Sequence, residues 1–397
     1  MISPRTVVIA GAGIGGLTAA AALTLRGFRV LVIEQADGLE DIGAGIQLSP
    51  NAARVLIDLG LGEQLAPHVV APEELKVLSA RSGRILARAR LGTDAVRRFG
   101  APYWVIHRGD LHRVLRDAVG ATPLVSLQLG VKVEDFATHS NGVTVAGSRS
   151  RQPTETHGSV LIGADGLWSS LRARLGHTAQ PRFARHVAWR ALVPADAASP
   201  ALREPTVNLW LGRNAHLVHY PVRGGGLINV VAIVRDDWSE PGWSAPGERA
   251  DIVARFPAGM WRQLARDLIA AAGPWQKWAL YDCPPLQRWG SGPVTLLGDA
   301  AHPMLPYLAQ GAAMAIEDAA VLAQSLARTP EDPAGALRRY EDLRFKRTAR
   351  AQRAARRNGT IYHMGGAEAF LRTLALMAMR GSGLLRRYNW LYRWKPE

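Results

Sequence analysis

The stretch from Val7 to Glu34, VVIAGAGIGGLTAAAALTLRGFRVLVIE, constrains this chain more than any other. It holds an apolar run, a glycine cluster, an alanine-rich segment, a glycine turn and a second apolar run ending in an acid. That order spells strand–helix–strand at the length of a dinucleotide-binding unit. Gly11 closes the tight turn after the first strand, where a Cβ would clash. Gly13 lets the backbone approach a pyrophosphate, and Gly15 and Gly16 complete the cluster, Gly16 letting the helix pack on the strands. The helix N-terminus then offers unpaired N–H groups and a positive dipole end to phosphate. Glu34, followed by Gln35, stands where a ribose diol can donate to it. A carboxylate there repels a 2′-phosphate, so NADP is the dinucleotide that this crevice disfavours. The motif alone leaves NAD and FAD open.

Composition sets wide bounds. The 397 residues are 48% apolar and 20% charged, which describes a folded chain of two or three lobes without a long disordered tract. Cys283 is the one cysteine, so neither a disulfide framework nor a thiolate metal cluster is expected. The first strand begins after about six residues, too soon for a cleavable signal, and no apolar run reaches membrane-spanning length. A cytoplasmic location without integral membrane association is expected. The formal net charge is +15, concentrated in Arg338–Arg357 and in Arg386, Arg387, Arg393 and Lys395. No nucleic-acid-binding motif accompanies it. The run reads as a solvated helix face whose field draws in anionic ligands.

Past Glu34, Gly43 and Gly45 predict an irregular loop that brings Gln47 to the nucleotide end. Ser49 and Pro50 then start a helix over Asn51–Leu59. Leu75–Ala89 reads as a hairpin about Ser82–Gly83. Arg108 precedes a helix capped near Asp110, and Val125–Ala146 holds two strands about Asn141–Gly142. Ser159–Arg172 is strand, tight turn and short helix, returning the chain to the first sheet. The runs between Pro181 and Pro284 read as one antiparallel sheet, followed by a helical stretch over Glu248–Ala272 interrupted near Pro257. Val294–Leu297 is another buried strand. A proline-bearing loop and a long helix past Gly311 follow it, and the chain is helical from Pro333. The expected division is 1–72, 101–180 and 285–330 for the nucleotide-binding domain, 73–100 and 181–284 for a sheet domain, and 331–397 for a helical region.

Three stretches carry a resemblance: GAGIGG with Glu34, the Gly163-Ala164-Asp165-Gly166 turn, and Gly298-Asp299-Ala300-Ala301-His302-Pro303 after its strand. In this order they resemble the single-component FAD-dependent aromatic hydroxylases, the para-hydroxybenzoate hydroxylase superfamily, over essentially the whole chain. AGIQLSPNAARVL, WRALVP, HLVHYPV, PYLAQGAAMAIEDAAVL and NGTIYH are most similar to the branch of salicylate hydroxylase, 3-hydroxybenzoate 6-hydroxylase and 6-hydroxynicotinate 3-monooxygenase. The resemblance implies an α/β fold: a Rossmann-like FAD-binding domain, an interleaved antiparallel-sheet substrate domain and C-terminal helices. It implies bound FAD, transient NADH or NADPH, O2, and a small aromatic acid hydroxylated through a flavin C4a-hydroperoxide. It assigns Asp299 to ribityl hydroxyls, Arg108 to the FAD phosphates and Asp165 to a place near FAD and the reductant path. Gly311, Ala312 and Ala313 open a helix whose N–H groups can face the flavin N1–C2=O edge. Each acid or base has a structural alternative: Asp299 as a helix cap, Arg108 as a surface ion pair, Asp165 as a turn residue.

Ring hydroxylation needs a base or hydrogen-bond relay at the phenol and a site closed to water. His216 and Tyr220 lie four apart in a strand and share a face, with His219 pointing away. The branch places a His and a Tyr at this spacing against substrate. The alternatives are a polar edge-strand histidine and a core tyrosine. Gln47 and Tyr307, beside Pro306, come next; 6-hydroxynicotinate enzymes carry His at both matching positions, and this chain departs from them. Arg190 is a candidate for a substrate carboxylate or a core-edge ion pair, and His302 is expected to fix its loop. No metal site is expected. The tail Tyr388–Trp394 is expected to pack locally or to form a subunit contact, as in a homodimer. Competing readings are an epoxidase or natural-product monooxygenase on the same fold, and a non-catalytic flavoprotein that senses redox state or binds a partner.

Overall fold

The computed structural model describes residues 6–39, 44–240, 244–379 and 383–396. Gly43 lies outside them. Gly45 belongs to a strand, Gly45–Leu48, paired with Trp104–His107, and not to the irregular loop expected of it.

Five parallel strands form the first sheet, in the order Val294–Leu296, Val160–Gly163, Thr6–Ala10, Arg29–Ile33, Val125–Gln128. Thr6–Ala10 is central, and its Val7, Val8 and Ile9 are fully buried. Strands from the start, middle and last third of the chain therefore end side by side. The loops that leave those ends carry Gly11, Asp165 and Asp299. The crevice beyond the carboxyl ends of such a sheet is where ligands bind.

Two sheet expectations need correction. Val125–Gln128 joins the parallel sheet, while Val131–His139 and Gly142–Arg149 form the hairpin about Asn141–Gly142. The runs between Pro181 and Pro284 pair antiparallel as expected, but the eight-stranded sheet they build is mixed, because Thr206–Leu211 runs parallel to Glu74–Ser79. Those two segments are far apart in the chain, so no hairpin dictates their direction.

Inside that sheet Ala215–Val222 lies between Leu227–Arg235 and Thr206–Leu211. His216 is thus on an interior strand, not an edge. One sheet face packs on a core of Trp189, Trp210, Phe256, Trp261 and Trp275, closed by helices Arg249–Ala254 and Gln263–Ala271. The other face, with Tyr220, packs on Met314, Leu391 and Tyr392. The pleat sends alternate residues to opposite faces. Tyr220 is therefore turned toward the nucleotide-binding half.

The helix Pro333–Tyr362 packs on Gly311–Arg328, and this overturns the solvated-face expectation for part of the basic run. Arg344 is fully buried and ion-paired to Glu317 at 2.7 Å and Asp318 at 2.6 Å. Arg347 pairs with Glu317 at 2.6 Å. Two adjacent buried acids on one helix demand cations from the helix that covers them. The tail packs locally: Tyr392 meets Phe99 and Tyr103 edge-on, and Arg347 lies over the rings of Trp390 and Trp394. No described helix is long and apolar enough to cross a membrane.

Candidate active site

At the nucleotide end the glycines are required by close backbone approach. Gly11 has φ +109°, and a Cβ there would lie 2.4 Å from Ala164 O. A Cβ on Gly16 would lie 2.0 Å from Gly11 O, and one on Gly15 would lie 2.8 Å from Leu297 Cδ2 and 3.1 Å from Ala315 Cβ. The turn is thus clamped at once to the middle and late segments of the chain. Around Gly13 no described atom comes within 4 Å of a Cβ position, which leaves its backbone open to a ligand. Gly13 is the N-cap of helix Ile14–Thr24 and makes no side-chain cap bond. The Glu34 carboxylate accepts from Ala12 N–H at 2.7 Å and Ala36 N–H at 2.9 Å, so it is held against the glycine loop, with Gln35 exposed beside it.

The second grip forms from distant segments. Arg108 starts the helix Arg108–Gly120, two residues before the predicted cap. Asp110 does not cap it; its buried carboxylate accepts from Arg113 and Arg223. Burial lowers the Arg108 pKa, and Asp299 opposes that shift. Asp299 sits in the short turn Gly298–Ala300. Desolvation raises its pKa against the pull of His302, Arg108 and Arg172. The Gly311 Cβ position is 3.9 Å from Asp299 Oδ1, so the acid and the start of helix Gly311–Arg328 share one wall. Gly311, Ala312 and Ala313 form that helix's first turn, which carries no acid, and Gln310 makes no side-chain cap bond. Gln310 instead donates to Ser49 Oγ at 2.8 Å, and Asn51 donates to Glu317 at 2.6 Å. This Ser49–Asn51–Gln310–Glu317 lattice had no local signal in the sequence.

Asp165 divides its oxygens. Oδ2 accepts from Leu171 N–H at 3.2 Å and Ser170 Oγ at 3.3 Å, which holds the start of the helix Ser170–Arg174. Oδ1 is buried without a protein partner. His302 Nε2 is 2.5 Å from Asp318 Oδ2, so this ring fixes its loop as expected.

At the other end the sheet supplies rings. Gln47 accepts from the Tyr103 hydroxyl at 2.6 Å and also hydrogen-bonds Tyr220. Gly45 leaves room for this packing, since a Cβ there would lie 2.6 Å from the Tyr220 ring. Burial raises the Tyr220 pKa, with Arg190 nearby opposing the shift. Arg190 stacks its guanidinium 5.1 Å from the Trp278 ring, and its Nε is buried without a partner. Desolvation lowers its pKa. Gln47, Arg190 and Tyr220 therefore form one group. His216 and Tyr307 form a second, with ring centroids 5.6 Å apart. Tyr307 is in the turn Pro306–Leu308, and its hydroxyl is buried without a partner. Four residues of strand separate His216 from Tyr220, roughly 13 Å along the backbone. His219 faces the opposite side, its ring 6.4 Å from that of Trp210. Sequence reasoning missed Tyr103, His186, Tyr362 and His363; a histidine at the end of a long helix carries no periodic signal. Among the described residues no group of His, Cys, Asp or Glu could hold a metal ion.

A parallel sheet with a two-ended cleft, closed by a ring-lined mixed sheet, defines a flavoprotein of para-hydroxybenzoate hydroxylase-like architecture. Residues 5–358 match the FAD binding domain family, and the chain belongs to that family. It is 39% identical to 3-hydroxybenzoate 6-hydroxylase 1 of Aquipseudomonas alcaligenes, over 98% of this chain and 97% of the other. It is 40% identical to the 3-amino-4-hydroxybenzoate 2-monooxygenase PtnB3 of Streptomyces platensis, over 98% and 96%. The crystal structure of a single-residue variant of Klebsiella pneumoniae HpxO complexed with FAD superposes with a TM-score of 0.84 at 29% identity, covering 97% of each chain. The chain is a FAD-dependent monooxygenase of the aromatic-hydroxylase type.

The residues present fit that cofactor. Gly13 is open, two helix N-termini lack side-chain caps, and Asp299 stands beside one of them.

Proposed function

We propose that this enzyme hydroxylates a small phenolic carboxylic acid, using O2 and electrons from NADH or NADPH. One observation carries the reading: Arg190, whose buried Nε has no partner, and the buried His216 share one face of the second sheet, with Tyr220 near the arginine and Tyr307 beside the histidine. A carboxylate at one end and a ring hydroxyl at the other match that pair. Relatives named for 3-hydroxybenzoate and 3-amino-4-hydroxybenzoate act on compounds of this chemistry.

Bound FAD supplies hydride acceptance and oxygen activation. In this reading Glu34, Gln35, Gly11, Gly13, Gly15 and Gly16 hold its adenosine and pyrophosphate portion, with Arg108 adding positive charge. Asp299 takes the ribityl hydroxyls, and the helix start at Gly311, Ala312 and Ala313 favours negative charge on the ring system. Asp165 Oδ1 faces the reductant path. Arg190 binds the substrate carboxylate, while Tyr220 and Gln47 orient it. His216 takes the phenolic proton, because a phenolate ring is the better nucleophile toward an electrophilic oxygen. Pro306 and Tyr307 close the site to water, which protects the oxidant. The tail, which a binding module would present, is occupied against Phe99 and Tyr103.

The test begins with the flavin absorbance of purified protein. Benzoates, salicylates and hydroxypyridines are then screened for stimulated NADH and NADPH oxidation, with product mass recorded. Phenolic acids should stimulate oxidation and gain one oxygen atom. Nucleotide oxidation that no ring acid accelerates would overturn the reading.

A further inference from the structure

His216 is 2% exposed. Beyond it lies a wide cleft of about 820 Å³, whose wall includes His186, Tyr307 and His363 but not His216. His363 stands between the two. It follows helix Pro333–Tyr362, and its backbone carbonyl accepts from Asn214 N–H at 3.2 Å, which ties it to the turn entering the His216 strand. His216 Nδ1 and His363 Nε2 are 2.8 Å apart. The remaining nitrogen of His363, Nδ1, is buried without a protein partner. The His186 ring stacks on His363 at 4.5 Å, with its own Nδ1 donating to Ala184 O at 2.8 Å. Stacking and hydrogen bonding hold the His363 ring against His216, the two planes 39° apart.

We propose that His363 is a relay and positioning residue, which carries the phenolic proton from His216 into the arginine-lined cleft. This rests on the reading that a phenol faces His216. The phenolic O–H breaks and its proton goes to His216 Nε2. The Nδ1 proton of His216 passes to His363 Nε2, and a small turn of the His363 ring brings its Nδ1, buried at rest, to water in the cleft, which takes that proton. No atom changes oxidation state, and neither imidazole keeps a charge. Reprotonation of the product hydroxyl runs the chain inward and restores both tautomers.

The surroundings suit this passage. A hop needs neutral rings, each with one N–H and one lone pair. Burial holds the His363 pKa down to about 3, helped by His186 and Arg372, and burial holds His216 well below its usual value. Tyr307 and Tyr362 face the pair as neutral phenols. Arg185 and Arg356 in the cleft wall are paired with Asp237 and Asp282, while Arg213 and Arg235, which have no ion pair among the described residues, lie there with Glu368. Their field disfavours imidazolium and favours phenolate, so the proton moves on.

Proton release is measured by stopped flow with a pH indicator in weak buffer, as a phenolic acid binds oxidised holoenzyme. His363→Gln keeps an amide beside His216 but cannot hop, and His363→Phe removes the nitrogens. With FAD bound, both should release the proton at least about tenfold more slowly and lower kcat while sparing KM. Free imidazole, entering by the cleft, should restore part of the rate in His363→Ala, where the side-chain space is vacated. Wild-type release rates in the two variants would overturn the relay alone. A wild type that binds phenolic acids without ionising or hydroxylating them overturns the substrate reading and takes the relay with it. If His363→Phe loses flavin, His363→Gln decides.

Discussion

At the nucleotide end of the cleft, backbone approaches backbone, and charges meet in contact. Gly16 would put a Cβ 2.0 Å from Gly11 O, and Arg344 fills the space between Glu317 and Asp318. At the ring-lined end, neutral side chains meet through rings and single hydrogen bonds: His216, Tyr307 and His363 touch one another from three separate stretches, and Tyr220, on the His216 strand, bonds Gln47. The first end fixes the fold and the cofactor in the same contacts. The second can lose a side chain without losing either. Substitutions at the two ends should therefore fail in different ways.

The largest effect is expected at Gly16→Ala. The new Cβ meets a carbonyl oxygen that cannot swing aside, so the turn must open. The variant should purify without flavin, if it folds at all. A yellow protein with a wild-type melting curve would break the comparison at its firmest point. Next comes Arg344→Met, which removes the buried cation shared by Glu317 and Asp318 and leaves them only Arg347 and His302 as charged or titratable partners. Removing one partner of a buried pair costs about 3–5 kcal/mol. Denaturant unfolding of the flavin-bound variant reads that loss, and a change under about 1 kcal/mol would show that the acids find other partners.

His216→Ala and Tyr220→Phe should sharpen the contrast. Both are expected to keep FAD and a near-normal fold. Hydroxylation should fall by about a hundredfold, in the range of general-base contributions. The share of NADH oxidation that ends in hydrogen peroxide should rise. Coupling that stays at the wild-type level in both variants would remove them from the site.

The same contrast explains what could be read in the sequence. The glycine turn declares itself because its constraints are local: Gly11, Gly13 and Gly16 sit within six residues, and the strand and helix around them have clear periods. His216 and Tyr220 were legible as a pair because strand alternation fixes their common face. Arg344 was not, since its partners Glu317 and Asp318 belong to another helix and a run of arginines looks solvated wherever its neighbours are unknown. Nor was the parallel pairing of Thr206–Leu211 with Glu74–Ser79 legible, because no turn connects them. His363 reaches His216 only after the long C-terminal helix has folded across the sheet, and nothing in the sequence measures that distance.

Acid should separate a buried neutral ring from a paired charge. His219 is buried with both ring nitrogens unpartnered, and burial holds its pKa down to about 3. The unfolded chain binds this proton near pH 6.5, so stability is complete above that value and is lost as pH falls from about 6.5 toward 3. At pH 5 the loss from one such histidine is about 2 kcal/mol. His219→Phe, facing Trp210 and away from His216, should melt with a shallower pH dependence between 7 and 5 at unchanged FAD content. An identical slope would mean that other groups govern acid unfolding.

The smallest effect concerns charge acting at a distance. Arg213 and Arg235 line the outer cleft and have no ion pair among the described residues, whereas Arg185 and Arg356 are paired with Asp237 and Asp282. Unpaired surface charge attracts an anion through solvent, and salt shortens its reach from about 10 Å at 0.1 M to about 3 Å at 1 M. The charges that hold the nucleotide end together are buried and screened far less. Raising ionic strength should therefore increase KM for an anionic ring acid by about two- to threefold. An uncharged ring analogue and the retention of FAD should not respond. Arg213→Gln with Arg235→Gln should flatten the salt dependence without lowering kcat. A salt effect that survives in the double variant would place the steering charge elsewhere. One that also strips FAD would show that the nucleotide end is held by solvent-exposed charge after all.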